Sequence, residues 1–350
     1  MSRSLLLVLC ALLPALSACE GFLGDDDDAE GDLFALATDQ GSVQVLAGGD
    51  VAASLQWEGQ SAAAGTAVLT SDGQSLFVGS DDQVVAFSQS TGAELWSAPS
   101  NLTGPVVALT GPGDGAVYAM TLDGSLSAIS VSDGSTLWTL DLLVDLPGSS
   151  DDALLFAGGS LILGGGPTRV LSTSDGSVLA TYPNEDSYVS DMSVVGGALF
   201  AGLSDRVVAL SLPSLSEQWV HPTSGEVDNL VAGGGSVFFS ILGGGVELLT
   251  TSGNPVATAG DDSVFEALAR SSSNLLLGAR SDATLLAWDE VALEEQWSVS
   301  DADTPVQGLI VSGSGVFYGN AGYVDGINAS DGTSLWYYQP PGNPSALLGL

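Results

Sequence analysis

The stretch Ser132-Asp133-Gly134-Ser135-Thr136-Leu137-Trp138 decides the fold of this chain, because it returns at a nearly fixed interval. It recurs as Ser330-Asp331-Gly332-Thr333-Ser334-Leu335-Trp336 and, more loosely, as Ser90-Thr91-Gly92-Ala93-Glu94-Leu95-Trp96. Self-similarity of this kind indicates a repeat architecture before any local reasoning is applied.

Eight positions align on the tryptophan of this stretch: Trp57, Trp96, Trp138, Ala180, Trp219, Ala257, Trp297 and Trp336. Their spacing, near forty residues, suits four short strands and their turns, which make one propeller blade. Within each period, runs of aromatic and β-branched residues are bounded by Gly, Asp and Ser, a pattern typical of strands and hairpins. We therefore predict an all-β fold: an eight-bladed β-propeller of four-stranded antiparallel blades over residues 33–350.

The turn before the aligned position carries glycine in five repeats: Gly92, Gly134, Gly176, Gly253 and Gly332. Glycine adopts positive φ without steric cost, so these positions predict tight hairpin turns. Tryptophan offers a large apolar face and one N–H donor. We predict that six tryptophans pack between neighbouring blades and donate to backbone: Trp57, Trp96, Trp138, Trp219, Trp297 and Trp336.

Some repeats depart from this pattern. Ala180 and Ala257 replace the tryptophan, and two segments replace the glycine turn: Pro213-Ser214-Leu215 and Ala292-Leu293-Glu294. The phase of the repeat is kept, so we interpret these blades as degenerate rather than absent.

The ring is predicted to close with strands from both ends of the repeat region. Leu33 to Leu36 aligns with the second strand of other repeats, so the first repeat lacks its own first strand. Ser345 to Leu350 aligns with first strands and is predicted to supply the innermost strand of that blade, which leaves no open edge.

The pattern of Val117 to Trp138 and Val316 to Trp336 resembles the PQQ-like repeat of quinoprotein-type β-propellers. The resemblance covers Leu33 to the C-terminus, which is nearly the whole chain that would remain after removal of the signal. Lipid-anchored members of this repeat family include BamB-type accessory lipoproteins of outer-membrane β-barrel assembly. Resemblance to the quinoprotein enzymes of the family would imply a vicinal disulfide, calcium ligands and a catalytic aspartate.

Residues 1–18 have the features of an export signal: a basic start at Arg3, an apolar run and small residues. Leu16-Ser17-Ala18-Cys19 resembles the bacterial lipobox, which implies lipid attachment to Cys19; an ordinary signal peptide is the alternative. Cys10 lies in the segment to be removed, so Cys19 would have no disulfide partner. Residues 19–32 are acidic and glycine-containing, and predict an extended tether. A calcium site at Asp25 to Asp28 is the sharper alternative.

The composition is strongly acidic, with 42 Asp and Glu against 5 arginines and no lysine. This charge disfavours binding to nucleic acid and flat association with anionic lipid. A diffuse acidic surface, for solubility or a saline habitat, is one interpretation, and recognition of a cationic partner is the other.

The sequence offers little catalytic chemistry, so we predict no enzyme and no catalytic, cofactor-binding or metal residues. Cleavage before Cys19 would remove the second cysteine, which excludes the quinoprotein disulfide, and Arg169, Arg206, Arg270 and Arg280 are expected to form structural ion pairs. His221, the single histidine, is expected in a loop. Three acidic pairs are expected in turns, with weak calcium binding as the alternative: Asp81-Asp82, Asp151-Asp152 and Asp261-Asp262.

These expectations favour a non-catalytic, lipid-anchored scaffold that binds a protein partner at the cell envelope, most simply as a monomeric ring on the outer membrane facing the periplasm or the cell surface. A BamB-like accessory factor in outer-membrane β-barrel assembly is one alternative. A quinoprotein dehydrogenase is the second.

Overall fold

A computed structural model describes residues 32–48, 53–61, 68–98, 102, 104–142, 154–184, 187–260, 263–271, 274–300, 307–312, 315–320 and 322–350. Cys19 and the predicted signal and tether segments lie outside these residues, as do Asp151-Asp152 and Asp261-Asp262. Within the described residues no helix combines the length and apolarity needed to cross a bilayer.

The described chain forms 32 strands in eight four-stranded antiparallel sheets. Blade 1 contains β1 (Asp32–Thr38), β2 (Ser42–Gly48), β3 (Ala53–Gln60) and β32 (Pro344–Gly349). Blade 2 contains β4 (Val68–Ser71), β5 (Ser75–Ser80), β6 (Gln83–Ser88) and β7 (Glu94–Ser97). Blade 3 contains β8 (Val106–Gly113), β9 (Ala116–Thr121), β10 (Ser125–Ser130) and β11 (Thr136–Asp141). Blade 4 contains β12 (Leu154–Ala157), β13 (Ser160–Leu163), β14 (Thr168–Leu171) and β15 (Val178–Tyr182).

The remaining four blades repeat this arrangement. Blade 5 contains β16 (Asp191–Val195), β17 (Ala198–Gly202), β18 (Arg206–Ser211) and β19 (Ser216–Pro222). Blade 6 contains β20 (Val227–Gly233), β21 (Ser236–Ile241), β22 (Gly245–Thr250) and β23 (Pro255–Ala259). Blade 7 contains β24 (Phe265–Arg270), β25 (Leu275–Arg280), β26 (Thr284–Asp289) and β27 (Glu295–Ser300). Blade 8 contains β28 (Gln307–Ser312), β29 (Gly315–Asn320), β30 (Tyr323–Asn328) and β31 (Ser334–Tyr338).

The eight-bladed β-propeller is therefore confirmed. The second and third strands of a blade are buried on both faces, as in β9 and β10, because each sheet is covered by a neighbouring blade on either side. These strands have no solvent-exposed face, so polar residues such as Ser127 of β10 are buried as well. The fourth strands alternate, as in β7, where Trp96 is buried between exposed neighbours.

The predicted closure is also confirmed. Strand β32 pairs antiparallel with β1, with Ala35 opposite Leu348 and Leu36 opposite Leu347, and so occupies the first-strand place of blade 1. Asp39 and Asn343 clamp the start of β32: the backbone and side-chain N–H groups of Asn343 each donate to the Asp39 carboxylate at 2.9 Å.

Candidate binding surfaces and the contacts between blades

The predicted tryptophan contacts join consecutive blades. The indole Nε1–H of each donates to a backbone carbonyl in the turn between the third and fourth strands of the next blade. The donor–acceptor pairs are Trp57 to Gln89 (2.6 Å), Trp96 to Val131 (2.7 Å), Trp138 to Thr173 (2.8 Å), Trp219 to Thr251 (3.0 Å) and Trp297 to Ala329 (3.0 Å). These five tryptophans are interblade locks.

The turn glycines serve these locks as well as the turns. A Cβ added to Gly134 would lie 2.7 Å from Trp96 Cε3, and Gly92, Gly176, Gly253 and Gly332 face the indole of their preceding blades in the same way. All five glycines also have positive φ, as predicted. Each therefore meets two demands, a backbone conformation and a close approach to an aromatic ring.

The missing tryptophan and the missing turn glycine compensate each other at the same interface, and this happens at two interfaces of the ring. Where blade 4 carries Ala180 in place of tryptophan, blade 5 carries Leu215 in place of the turn glycine, and both belong to one apolar cluster. Ala257 of blade 6 and Leu293 of blade 7 repeat the exchange. Leu215 and Leu293 are 3% and 4% exposed and keep positive φ, at 53° and 55°. A large side chain on one blade is thus exchanged for a large side chain on the next.

A β-bulge precedes every aligned position, and sequence reasoning missed it. In blade 3, Ala128 pairs with Trp138 but Ile129 pairs with Thr136, so Leu137 is the extra residue. The same register shift occurs in the other seven blades. Bulges redirect neighbouring side chains. In six of the eight blades the bulge accompanies a tryptophan at the contact with the next blade.

Trp336 closes the interface between blades 8 and 1. Its ring stacks on Phe34 at 5.9 Å and on Phe317 at 5.4 Å, and Phe34 stacks on Phe317 at 4.8 Å. Tyr338 adds a hydrogen bond from its hydroxyl to Gln44 Oε1 at 3.0 Å. The interface that joins the two ends of the repeat region is therefore held by stacked aromatic rings.

Ion pairs of Arg206, Arg270 and Arg280 agree with the prediction for these residues. Arg270 Nη2 lies 2.7 Å from Glu290 Oε2, while Arg206 and Arg280 pair with neighbouring aspartates, Asp205 and Asp282, at 3.6 and 3.2 Å. Glu290 also accepts a hydrogen bond from Ser236 Oγ of blade 6 at 2.5 Å. The Arg270–Glu290 pair therefore helps to join blades 6 and 7.

The loop prediction for His221 is wrong. His221 lies in β19, opposite Val207, and its Nε2 is 3.2 Å from Glu247 Oε2 of blade 6. Pro222, which suggested a loop, is tolerated because β19 is the outer edge strand of its sheet. His221 is thus part of an interblade contact.

A leucine-lined chamber of about 540 Å³ lies among the innermost strands of blades 8, 1, 2, 3 and 4. Leu69, Leu109, Leu155 and Leu347 contribute to its wall, and its lining within the described residues contains no arginine. The quinone cofactor of the quinoprotein enzymes is a tricarboxylate and needs cationic partners. The chamber does not fit that cofactor, and the part of the chain described by the structure has no group of three His, Cys, Asp or Glu suited to a metal ion.

Asp228, on the innermost strand β20 of blade 6, has a raised pKa. Burial is the main cause, and the charges of Glu266 and Glu226 raise the pKa further. Asp133 is the opposite case: hydrogen bonds from Ser135 and then Ser130 lower its pKa, and this aspartate caps the turn of the repeat.

We predict that Asp228→Asn raises the melting temperature at pH 7. A carboxyl whose folded pKa exceeds its unfolded pKa binds extra protons in the folded state, so its ionisation destabilises the fold as the pH rises through the folded value. The gain in melting temperature should vanish at about pH 3, below both pKa values. Asp133→Asn is the control and should lower stability at pH 7. A melting temperature unchanged or lowered by Asp228→Asn would contradict the assignment.

Exposed apolar side chains mark the outer edge of blades 2, 3 and 4. Leu95, Leu137 and Leu179 are 53%, 54% and 64% exposed, and each is the bulged residue beside the aligned position. Because the three blades are consecutive, these residues recur along one stretch of the rim, which we call the leucine rim. Exposed apolar surface rimmed by polar residues is typical of protein interaction sites.

Comparisons with known proteins agree with this architecture. A curated relative, the outer membrane protein assembly factor BamB of Yersinia pestis, is 29% identical over 191 residues, which cover 49% of this chain and 47% of the relative. The chain thus matches about half the length of that relative.

Solved structures resemble the fold at low sequence identity. The computationally designed Ika8 protein matches with a TM-score of 0.70 and 18% identity, covering 88% of this chain and 93% of that protein. AztD of Citrobacter koseri matches at 0.66 and 11%, covering 91% and 97%. The quinohemoprotein alcohol dehydrogenase of Comamonas testosteroni matches at 0.62 and 13%, covering 89% and 69%. At these identities the likeness shows the fold alone.

A family model described as outer membrane protein assembly factor BamB matches residues 30–246, which include the tryptophan locks of blades 1, 2, 3 and 5 and the whole leucine rim. Since this match covers more than half of the chain, the chain belongs to the BamB family of PQQ-like repeat β-propellers.

Proposed function

We propose that this chain is a non-catalytic, protein-binding scaffold of the cell envelope that assists the assembly of outer-membrane proteins. The observation that carries the proposal is the family match over residues 30–246. The side chains support it, because Arg206, Arg270, Arg280 and His221 take part in structural contacts.

The leucine rim is the surface that we assign to the partner. Leu95, Leu137 and Leu179 lie on β7, β11 and β15, which are the free outer edges of their sheets. An edge strand presents unpaired backbone groups, and an apolar side chain beside them adds affinity for a partner segment. Glu94, Asp133 and Asp175 are exposed nearby in the sequence and favour a partner segment with positive charge.

Lipid attachment at Cys19 is the part of the proposal that explains the location. The lipobox-like sequence supports it, and an acidic tether would hold the propeller away from the bilayer. With this anchor we propose a monomeric ring held at the outer membrane, facing either the periplasm or the cell surface.

The test is chemical cross-linking followed by affinity capture of the full chain from its native membranes. Capture should recover components of the outer-membrane barrel assembly machinery. Replacing Leu95, Leu137 and Leu179 together by serine should reduce that recovery about tenfold, since losing a buried apolar anchor costs about 1–3 kcal/mol. Cys19→Ser should move the chain out of the membrane fraction.

A matched control replaces three exposed apolar residues elsewhere, Leu122, Leu242 and Val291, by serine. Both triple variants should keep the wild-type melting temperature, because all six side chains are exposed. Recovery of the assembly machinery undiminished by the rim variant would refute the assignment of the surface. Recovery of other proteins, or of none, would refute the proposed function.

A further inference from the structure

The chamber on the propeller axis has the size and lining of a small-molecule site. Its volume of about 540 Å³ falls within the range of about 300–1,000 Å³ usual for such sites. Leu69, Leu155 and Leu347, on β4, β12 and β32, are only half-buried, although each lies on an innermost strand. Apolar side chains that wall an open space within a ring can gain burial when an apolar molecule enters.

One hydroxyl in this wall has no partner within the described structure. Ser345 Oγ is buried and no hydrogen-bonding atom of the described residues lies within reach, while Ser345 lines the chamber. The neighbouring hydroxyl of Thr110 is engaged, since it accepts a hydrogen bond from the Phe156 backbone N–H at 2.9 Å. A buried hydroxyl without a partner carries a free-energy cost, which a bound polar group would remove.

Carboxylates on the innermost strands of the other three blades disfavour anions, although they do not line the chamber itself. The innermost strands of blades 5, 6 and 7 carry Asp191, Asp228 and Glu266. Both oxygens of Asp191 accept backbone N–H groups, from Met192 at 2.6 Å and from Leu230 at 2.5 Å. The charge of Glu266 also acts on Asp228, where it raises the pKa of that carboxyl. A carboxylate ligand would enter a ring that is already negative.

We propose that the axial chamber binds an uncharged amphiphile with a single hydrocarbon chain and a hydroxyl head group. The chain lies against Leu69, Leu109, Leu155 and Leu347. The Ser345 side chain turns from its buried position toward the chamber, and its Oγ exchanges a hydrogen bond with the head group. Unlike the leucine rim, which faces outward, this site faces the axis, so it is independent of the proposed protein partner.

The experiment titrates the folded chain with 1-decanol and with decanoate, which share one chain length, by isothermal calorimetry at pH 7.5. Decanol should bind saturably with one site, and decanoate at least about tenfold more weakly. Ser345→Ala should weaken decanol binding about fivefold, the equivalent of one ordinary hydrogen bond of about 1 kcal/mol. Leu155→Trp should fill the chamber and abolish binding.

Leu122→Trp, the same substitution on an exposed turn, is the control for Leu155→Trp and should bind decanol like the wild type. Ser345→Ala is conservative, so it tests the site even where Leu155→Trp fails to fold. The proposal is overturned if decanol shows no saturable binding, if decanoate binds as tightly as decanol, or if folded Ser345→Ala and Leu155→Trp both bind like the wild type.

Discussion

Deletion of Ser345 to Leu350 should lower the melting temperature by roughly 10 °C or more. The deletion removes nearly all of β32, leaves β1 as an unpaired edge on the axis and reduces blade 1 to three strands. A loss of several kcal/mol moves the unfolding midpoint of a large domain by about 2–4 °C per kcal/mol. Thermal unfolding followed by circular dichroism measures the shift.

The size of this effect follows from the two clusters that β32 joins. Ala346, Leu348 and Leu350 pack against the cluster between blades 1 and 2, whereas Leu347 packs against the cluster between blades 8 and 1. The backbone N–H of Leu350 also donates to Leu33 O at 3.0 Å. One short strand therefore contributes to two interfaces, and its loss weakens both.

Two further measurements separate closure from general damage. Replacing Leu347 and Leu348 by serine keeps the backbone ladder and should give a smaller loss than the deletion. A peptide of residues 344–350 added in excess should restore part of the lost stability, since it can pair with β1. An unchanged melting temperature after the deletion would show that the ring does not depend on β32.

The sequence predicted the phase of the repeat, the closure and the tryptophan contacts because each depends on residues with few conformational alternatives. Glycine stands four residues before the aligned position in five of the eight repeats, and tryptophan occupies that position in six. The bulge at Leu137 left no such signal, because almost any residue can occupy the extra position. His221 was misplaced because proline was read as a strand breaker, although an outer edge strand tolerates it.

The candidate sites were less accessible to sequence reasoning. The axial chamber combines residues of five strands, from Leu69 to Leu347, whose proximity depends on ring closure rather than on spacing. The leucine rim has only a partial signal in the sequence, since leucine precedes the aligned position in blades 2, 3, 4 and 8, and Leu335 of blade 8 is half-buried. The exposure of these leucines, however, depends on the bulge, because an extra residue in the strand changes which face of the sheet the side chains point to.

Sequence reasoning missed that two interfaces replace the tryptophan–glycine pair by an alanine–leucine pair. Ala180 and Leu215 lie 35 positions apart, in different repeats, so alignment within each repeat treats them as two separate defects. In the structure they occupy the two sides of one interface and compensate each other in volume. The unit of this repeat is therefore the interface between blades as much as the blade.

This compensation predicts a strong coupling between Trp96 and Gly134. Trp96→Ala alone should cost about 3–5 kcal/mol, because it removes a buried indole and leaves the carbonyl of Val131 without its donor. Gly134→Leu alone should cost at least as much, because its Cβ would lie 2.7 Å from the indole and its φ is +72°. The double variant reproduces the Ala180–Leu215 pair and should recover about 2 kcal/mol or more relative to the sum of the two single changes. Urea denaturation of the wild type, the two single variants and the double variant measures this coupling energy.

The control cycle combines Trp96→Ala with Gly176→Leu. Gly176 faces Trp138 instead of Trp96, so the two changes should be additive within about 0.5 kcal/mol. Equal coupling in both cycles would mean that the exchange at blades 4 and 5 is not a matched pair.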